Sequence, residues 1–253
     1  MTGWPELTGE LDRWHDAGAT ATFWWRDDDA VDDTLELDVL LQHAGEIPLA
    51  MAVVPGMATR ELAVRLAKQA SVVVLQHGWR HHNHTPGNEY PASRSSEEVS
   101  RELADGRRLL TALFGPLAIP VFVPPWNSFD ACFLPLLRSN GLTAISRKGA
   151  RPGLFAAEGV LQANAHVAPI KWNTPPSFGN KEDYLAQIIY HLRGRRFGSY
   201  DATEATGLLT HHLAQNDRSY EFISRLISVI SQHPAGKWLD GRDVFFSDQG
   251  AEV

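Results

Sequence analysis

Three groups of polar residues in this chain have the types and spacing to do chemistry. Arg26-Asp27-Asp28-Asp29 follows one apolar run, His77-Gly78-Trp79-Arg80-His81 follows another, and His211-His212 follows a third. Adjacent carboxylates repel one another unless they are solvated or share a cation. A His-x-x-x-His pair offers two imidazoles, and two imidazoles plus one carboxylate make a catalytic zinc-type ligand set that keeps positions open for water and substrate. Such an ion lowers the pKa of a bound water toward about 7, giving a nucleophile at neutral pH. A second carboxylate can take the water's proton, and a histidine from the opposite wall can protonate the leaving group. This is a hydrolase layout. Taken singly, the acidic triplet also reads as a solvated helix-capping loop, and His77 to His84 as a hydrated surface tract. It is their joint placement that favours the metal, and the residue types alone leave open which of Asp27, Asp28 and Asp29 would ligate.

The elements that must position these groups alternate along the chain. Ala21–Arg26 (ATFWWR), Pro48–Val54, Ser71–Gln76 (SVVVLQ), Ile119–Val123 and Leu142–Ser146 read as strands, the β-branched third run being the kind that is buried on both faces. Weaker strand patterns cover Gly159–Val167, Ile170–Trp172 and Gly207–Thr210. Helical patterns lie at Thr34–Ala44, Thr59–Gln69, behind the capping box Ser95-x-x-Glu98, at Phe129–Ser139, Lys181–Arg193 and Asp217–Gln232. Strand-then-helix order predicts a parallel sheet with right-handed crossovers. Six or seven such units predict a closed or nearly closed barrel, with a doubly wound open sheet as the alternative. In both, the chemistry belongs at the carboxyl ends of the strands, where all three polar groups fall.

Composition narrows the class. The 253 residues carry a net charge of −7, which argues against a general nucleic-acid binder. The hydrophobic fraction of 43% is globular, no repeat or linker divides the chain, and one domain over residues 1–253 is expected. Cys132 is the only cysteine, so a disulfide framework and a thiolate metal cluster are excluded; it reads as a small buried hydrophobe. The first residues lack the basic and apolar segments of a signal peptide, and no run is long enough to span a membrane, so a cytoplasmic location is expected. Of the eight tryptophans, Trp79 and Trp126 are expected at the rim and at least one of Trp24 and Trp25 in the core.

In order along the chain, Asp28-Asp29, His77-x-x-x-His81, Pro124-Pro125-Trp126 and Leu208-Leu209-Thr210-His211 resemble the motifs of the polysaccharide deacetylases, the carbohydrate esterase family with the NodB-homology domain. The resemblance runs over residues ~21–212. It implies a distorted (β/α)7 barrel and a divalent ion held by Asp29, His77 and His81, for which the ligand types favour zinc while leaving other divalent ions open. It also implies Asp28 as catalytic base, His211 as general acid and the Trp126 backbone N–H as an oxyanion donor. A one-residue slip would make Asp27 the base and Asp28 the ligand; the family pattern favours Asp28/Asp29. The implied substrate is an acetylated sugar or polysaccharide precursor, with no nucleic-acid partner. Two readings stand beside it, a metal hydrolase of another C–N bond in a small metabolite and an impaired sugar-binding homologue. Two family positions differ. The third-motif arginine is Val123 here, so support for the base must come from Arg26 or Arg80. The acidic residue of the family's Asp-Trp motif is absent at Lys171-Trp172, and His211 has His212 as a rival.

Overall fold

Strand alternation decides what each side chain of the sheet faces. The computed structural model describes residues 2–246, and its sheet runs β6-β7-β5-β4-β3-β2-β1-β8. The strands are β1 (Ala21–Ala30), β2 (Leu49–Val53), β3 (Val72–His77), β4 (Ala118–Val123), β5 (Ala144–Ile145), β6 (Phe155–Ala157), β7 (Val160–Gln162), β8 (Thr206–Thr210) and β9 (Gly236–Trp238). All pairings are parallel except β6 with β7, and β9 adds to the start of β1. The helices are α1 (Trp4–Asp16), α2 (Leu35–Ala44), α3 (Arg60–Leu66), α4 (Ser96–Phe114), α5 (Leu134–Ser139), α6 (Lys181–Phe197), α7 (Asp217–Gln232) and α8 (Gly241–Phe246).

One parity of the strands fills the interior. Trp24, Ala50, Ala52, Val73, Leu75, Ile119, Val121 and Val123 pack together there, and Phe245 of α8 meets Trp24 edge-on at 5.4 Å. The other parity, including Phe23, Trp25, Met51, Val53 and Val74, packs outward on Leu7, Leu11, Leu37, Leu40, Leu185 and Ile223 of the helices. Between β7 and β8 the chain crosses as an irregular segment. Ala165 N–H donates to the Arg147 carbonyl at 2.9 Å, and Leu209 N–H donates to the Val167 carbonyl at 2.8 Å. Seven parallel strand positions are thereby linked around a distorted, incompletely regular α/β barrel.

Several expectations shift. The triplet Asp27–Asp29 lies inside β1 rather than after it. Helix α1 is additional, and its buried Leu7, Leu11 and Trp14 recur at helical spacing. Only Val160–Gln162 of the Gly159–Val167 run is regular strand. Ile170–Trp172 forms no strand: Pro169, Pro175 and Pro176 remove donors around it, and only Lys171 pairs, with Ser177. Cys132 is exposed, because the turn it occupies, capped by Asp130, sends Phe133 into the core instead. Both Trp24 and Trp25 are buried. Among the described residues no helix is long and apolar enough to cross a membrane.

Candidate active site

The acidic triplet is divided among three partners by strand geometry. Asp28 shares the inward parity of Trp24 and Arg26. Arg26 is fully buried and donates to both Asp28 oxygens, from Nε at 2.8 Å and from Nη2 at 3.0 Å; its Nη1 bonds Ser146 Oγ at 2.6 Å. Asp27 has the opposite parity. It accepts from Thr210 Oγ1 at 2.5 Å and pairs with His212 Nδ1 at 2.5 Å, and Trp25 Nε1 donates to Thr210 at 2.9 Å. Asp29 leaves the alternation altogether: its φ of 71° turns the side chain over the rim.

There it meets the histidines. His77, inward on β3, bonds the Val123 carbonyl through Nδ1 at 3.0 Å, which directs Nε2 to Asp29 Oδ1 at 3.0 Å. His81 Nε2 lies 3.3 Å from the same oxygen. One donor atom each from Asp29, His77 and His81 falls within 4.8 Å of the other two. Donors about 3.3 Å apart suit a tetrahedral ion with bonds of ~2.0–2.1 Å, and a backbone carbonyl fixing the far ring nitrogen is the usual support for a ligating histidine. The residues therefore fit a divalent cation. Burial opposes the Asp29 charge, but the His77 hydrogen bond and the charges of His77, His211 and His81 outweigh it, holding the carboxyl well below its usual range.

The rim is strained. Among the described residues, Asp29, His81, Trp126 and Asn127 are the non-glycine residues with positive φ, and all four lie at these strand ends. Such conformations cost on the order of 1–3 kcal/mol each and persist only where surroundings enforce them. For His81 the enforcement comes from Glu89, which is 1% exposed and accepts from the N–H groups of Trp79 (3.2 Å), Arg80 (2.9 Å) and His82 (3.3 Å). Gly78 makes room for it, since a Cβ there would lie 2.1 Å from Glu89 Oε2. No motif marks Glu89. A lone acidic residue in a polar loop carries no signal until the loop is folded around it.

The other expected residues fall on the same rim. The Trp126 ring meets the His81 ring at a tilt of 54° with centroids 4.1 Å apart, and among the described residues its backbone N–H has no partner. His211 meets Trp172 edge-on at 4.8 Å, and its buried Nδ1 is unpaired. His212 instead points inward to Asp27. Arg26, not Arg80, is the arginine on Asp28.

A second His-His-Glu group, His166, His191 and Glu204, lies at the opposite end of β8. His166 Nδ1 accepts the Gly207 N–H at 2.9 Å, so its proton sits on Nε2, facing Glu204 rather than offering a lone pair. The two rings stack with centroids 3.4 Å apart at 23°, so no single ion could lie in both ring planes. This is a neutral imidazole pair on a carboxylate that also accepts from Arg151 and Asn164 N–H. Burial first, then His166 and Arg195, hold His191 down to about 4 against the upward pull of Glu204; Arg151 and Asp201 complete the charges of the network. The unfolded chain, titrating near 6.5, binds the proton first, so this stability is full above ~6.5 and is lost as pH falls toward 4. The melting temperature is expected to drop across that interval, and His191→Gln, which cannot titrate, to flatten the drop. An unchanged slope in the variant would assign the effect elsewhere.

Among curated proteins, none matches the chain. Solved structures share the fold at low identity. A Mycobacterium smegmatis protein described as a polysaccharide deacetylase aligns with TM-score 0.62 at 12% identity, covering 89% of this chain and 88% of its own. A family 4 acetyl xylan esterase from Clostridium thermocellum, in complex with a cobalt ion, gives 0.58 at 13%, covering 88% and 90%. A family 4 carbohydrate esterase from Streptomyces lividans, in complex with acetate, gives 0.54 at 15%, covering 84% and 89%. The profile of the polysaccharide deacetylase family matches residues 15–145, which hold the acidic triplet, both rim histidines and the Trp126 turn. The chain belongs to the polysaccharide deacetylase family.

Proposed function

We propose that this protein is a divalent-metal-dependent hydrolase, zinc being the ion, that removes an N- or O-linked acetyl group from a carbohydrate or sugar precursor. One observation carries the reading: Asp29, His77 and His81, from the ends of two strands, turn one donor atom each toward a common point in a fold of this family. An ion held there would supply Lewis acidity to the acetyl carbonyl and to the attacking water. Asp28, fixed by the Arg26 fork, takes the proton of that water. The free Trp126 N–H is available to the carbonyl oxygen as it becomes negative. His211 protonates the departing amine or hydroxyl.

One feature favours a second reading. Among the described residues no carboxylate meets Nδ1 of His211, which weakens its support as an acid and fits an impaired sugar-binding homologue. Acetate release from N-acetylglucosamine oligomers and from an acetylated chromogenic ester, with zinc and after chelation, separates the two. A deacetylase releases acetate only with metal. A sugar binder shows oligomer binding without release, and neither behaviour would end both readings.

Glu89 gives a further prediction at this site. Glu89→Gln places an amide against three N–H donors and loosens the His81 turn. Zinc affinity, measured by competition with a chromophoric chelator, is expected to fall about tenfold or more. Unchanged affinity would show that the turn holds His81 without the carboxylate.

A further inference from the structure

The histidine-rich loop over residues 77–84 has two working faces. His77 and His81 face Asp29, whereas Trp79, Arg80, His82 and His84 line a separate cleft of about 620 Å³ with Gly56 and Met57. Arg80 lines this cleft and is exposed to solvent. Its stem crosses Gly56, where a Cβ would lie 2.6 Å from Arg80 Cγ, and Gly56 N–H is tied to the Trp79 carbonyl at 2.8 Å. The guanidinium carbon sits 5.7 Å from the Trp79 ring centroid.

Yet among the described residues no carboxylate answers this charge. The two acidic residues of the cleft are already engaged: Glu89 by three backbone N–H groups, and Glu102 by a two-pronged bond from Arg94 at 2.8 Å on each arm. The ring nitrogens of His82 and His84 likewise have no protein partner; the two rings meet edge-on at 5.0 Å. An exposed arginine whose stem lies over Gly56 and whose guanidinium has no acceptor presents a fork for two oxygens of one anionic group.

We infer that this cleft receives a phosphate or carboxylate substituent carried by the acetylated sugar, forked by Arg80 with His82 and His84 as additional donors. The sugar itself rests on the deacetylase reading; the anion does not. Arg80 and His81 are sequence neighbours on two faces of one loop, so the cleft adjoins the rim that carries Asp29, His77 and His81.

The test uses three matched probes: methyl N-acetylglucosaminide, N-acetylglucosamine 1-phosphate and N-acetylmuramic acid. With zinc-loaded protein, kcat/KM for at least one anionic probe is expected to exceed that of the neutral one by about tenfold or more, the strength of one charge-assisted fork. Arg80→Gln should erase the ratio while leaving zinc content and the neutral rate unchanged. Gly56→Ala, which displaces the Arg80 stem, should reduce it. The phosphate and carboxylate arms identify which oxyanion the cleft selects. Binding of the same probes to metal-free protein, followed by titration calorimetry, decides the point even if no probe is hydrolysed. If acetate release from the oligomers and the chromogenic ester fails as well, the deacetylase reading fails, while an Arg80-dependent preference for anionic sugars upholds the cleft. Equal binding of charged and neutral probes, or a preference that survives Arg80→Gln, overturns the inference.

Discussion

Asp28→Asn is expected to lower turnover by about 10²–10⁴-fold, the usual contribution of a positioned general base, while zinc remains bound. The amide keeps the size of the carboxyl but cannot take a proton. The ligand set is untouched, because Asp29 turns away from the strand at φ 71° and faces the histidines on its own. Arg26 keeps Ser146 and the amide oxygen as acceptors but loses its countercharge, so folding of the variant is verified by circular dichroism before rates are compared. Rates on an acetylated substrate together with zinc content check this. Normal turnover with metal retained would remove Asp28 from the chemistry. Loss of zinc instead would support the slipped assignment, with Asp28 as ligand and Asp27 as base. Asp27 is poorly placed for that work, since it is fully buried with the outward strand parity and bonds Thr210 and His212 on the side away from the barrel interior.

The largest effect on stability is expected from Arg26→Met. Arg26 is fully buried and Asp28 is 4% exposed, so the substitution strands a carboxylate without its partner. Breaking a buried pair this way costs about 3–5 kcal/mol, measurable by urea unfolding, and turnover should fall because the base loses its orientation. Arg26→Met combined with Asp28→Asn should recover part of the loss, as coupled neighbours do. A single variant as stable as the native protein would mean that Asp28 finds water or another donor, and the proposed support of the base would fall with it.

Much of this arrangement could be read from residue order. Apolar runs ending in polar clusters marked the strands, and the shared rim of Asp29, His77 and His81 followed from parallel topology. Three things were not legible. The triplet reads as a loop because charge suggests solvent, yet Asp27 and Asp28 are strand residues whose charges are answered by His212 and Arg26 on opposite faces. A regular crossing from Gly159 to Val167 was overestimated: its apolar alternation is real, but the segment must bend between β7 and β8. Support from Glu89 and Arg80's unpaired state depend on how one loop folds, which no periodicity encodes. The arginine missing at Val123 shows the reverse. Its charge is supplied two residues before the base, on the same strand face, a replacement that alternation alone makes possible.

The account stands on a single cation bound by Asp29, His77 and His81. Zinc stoichiometry of the purified chain after metal loading and dialysis, compared with Asp29→Ala and His77→Ala variants whose folding is verified by circular dichroism, tests this most directly. One zinc per native chain and a loss in both folded variants is the predicted result. A native chain that retains no divalent ion, or variants that hold zinc as tightly as the native protein, would contradict it.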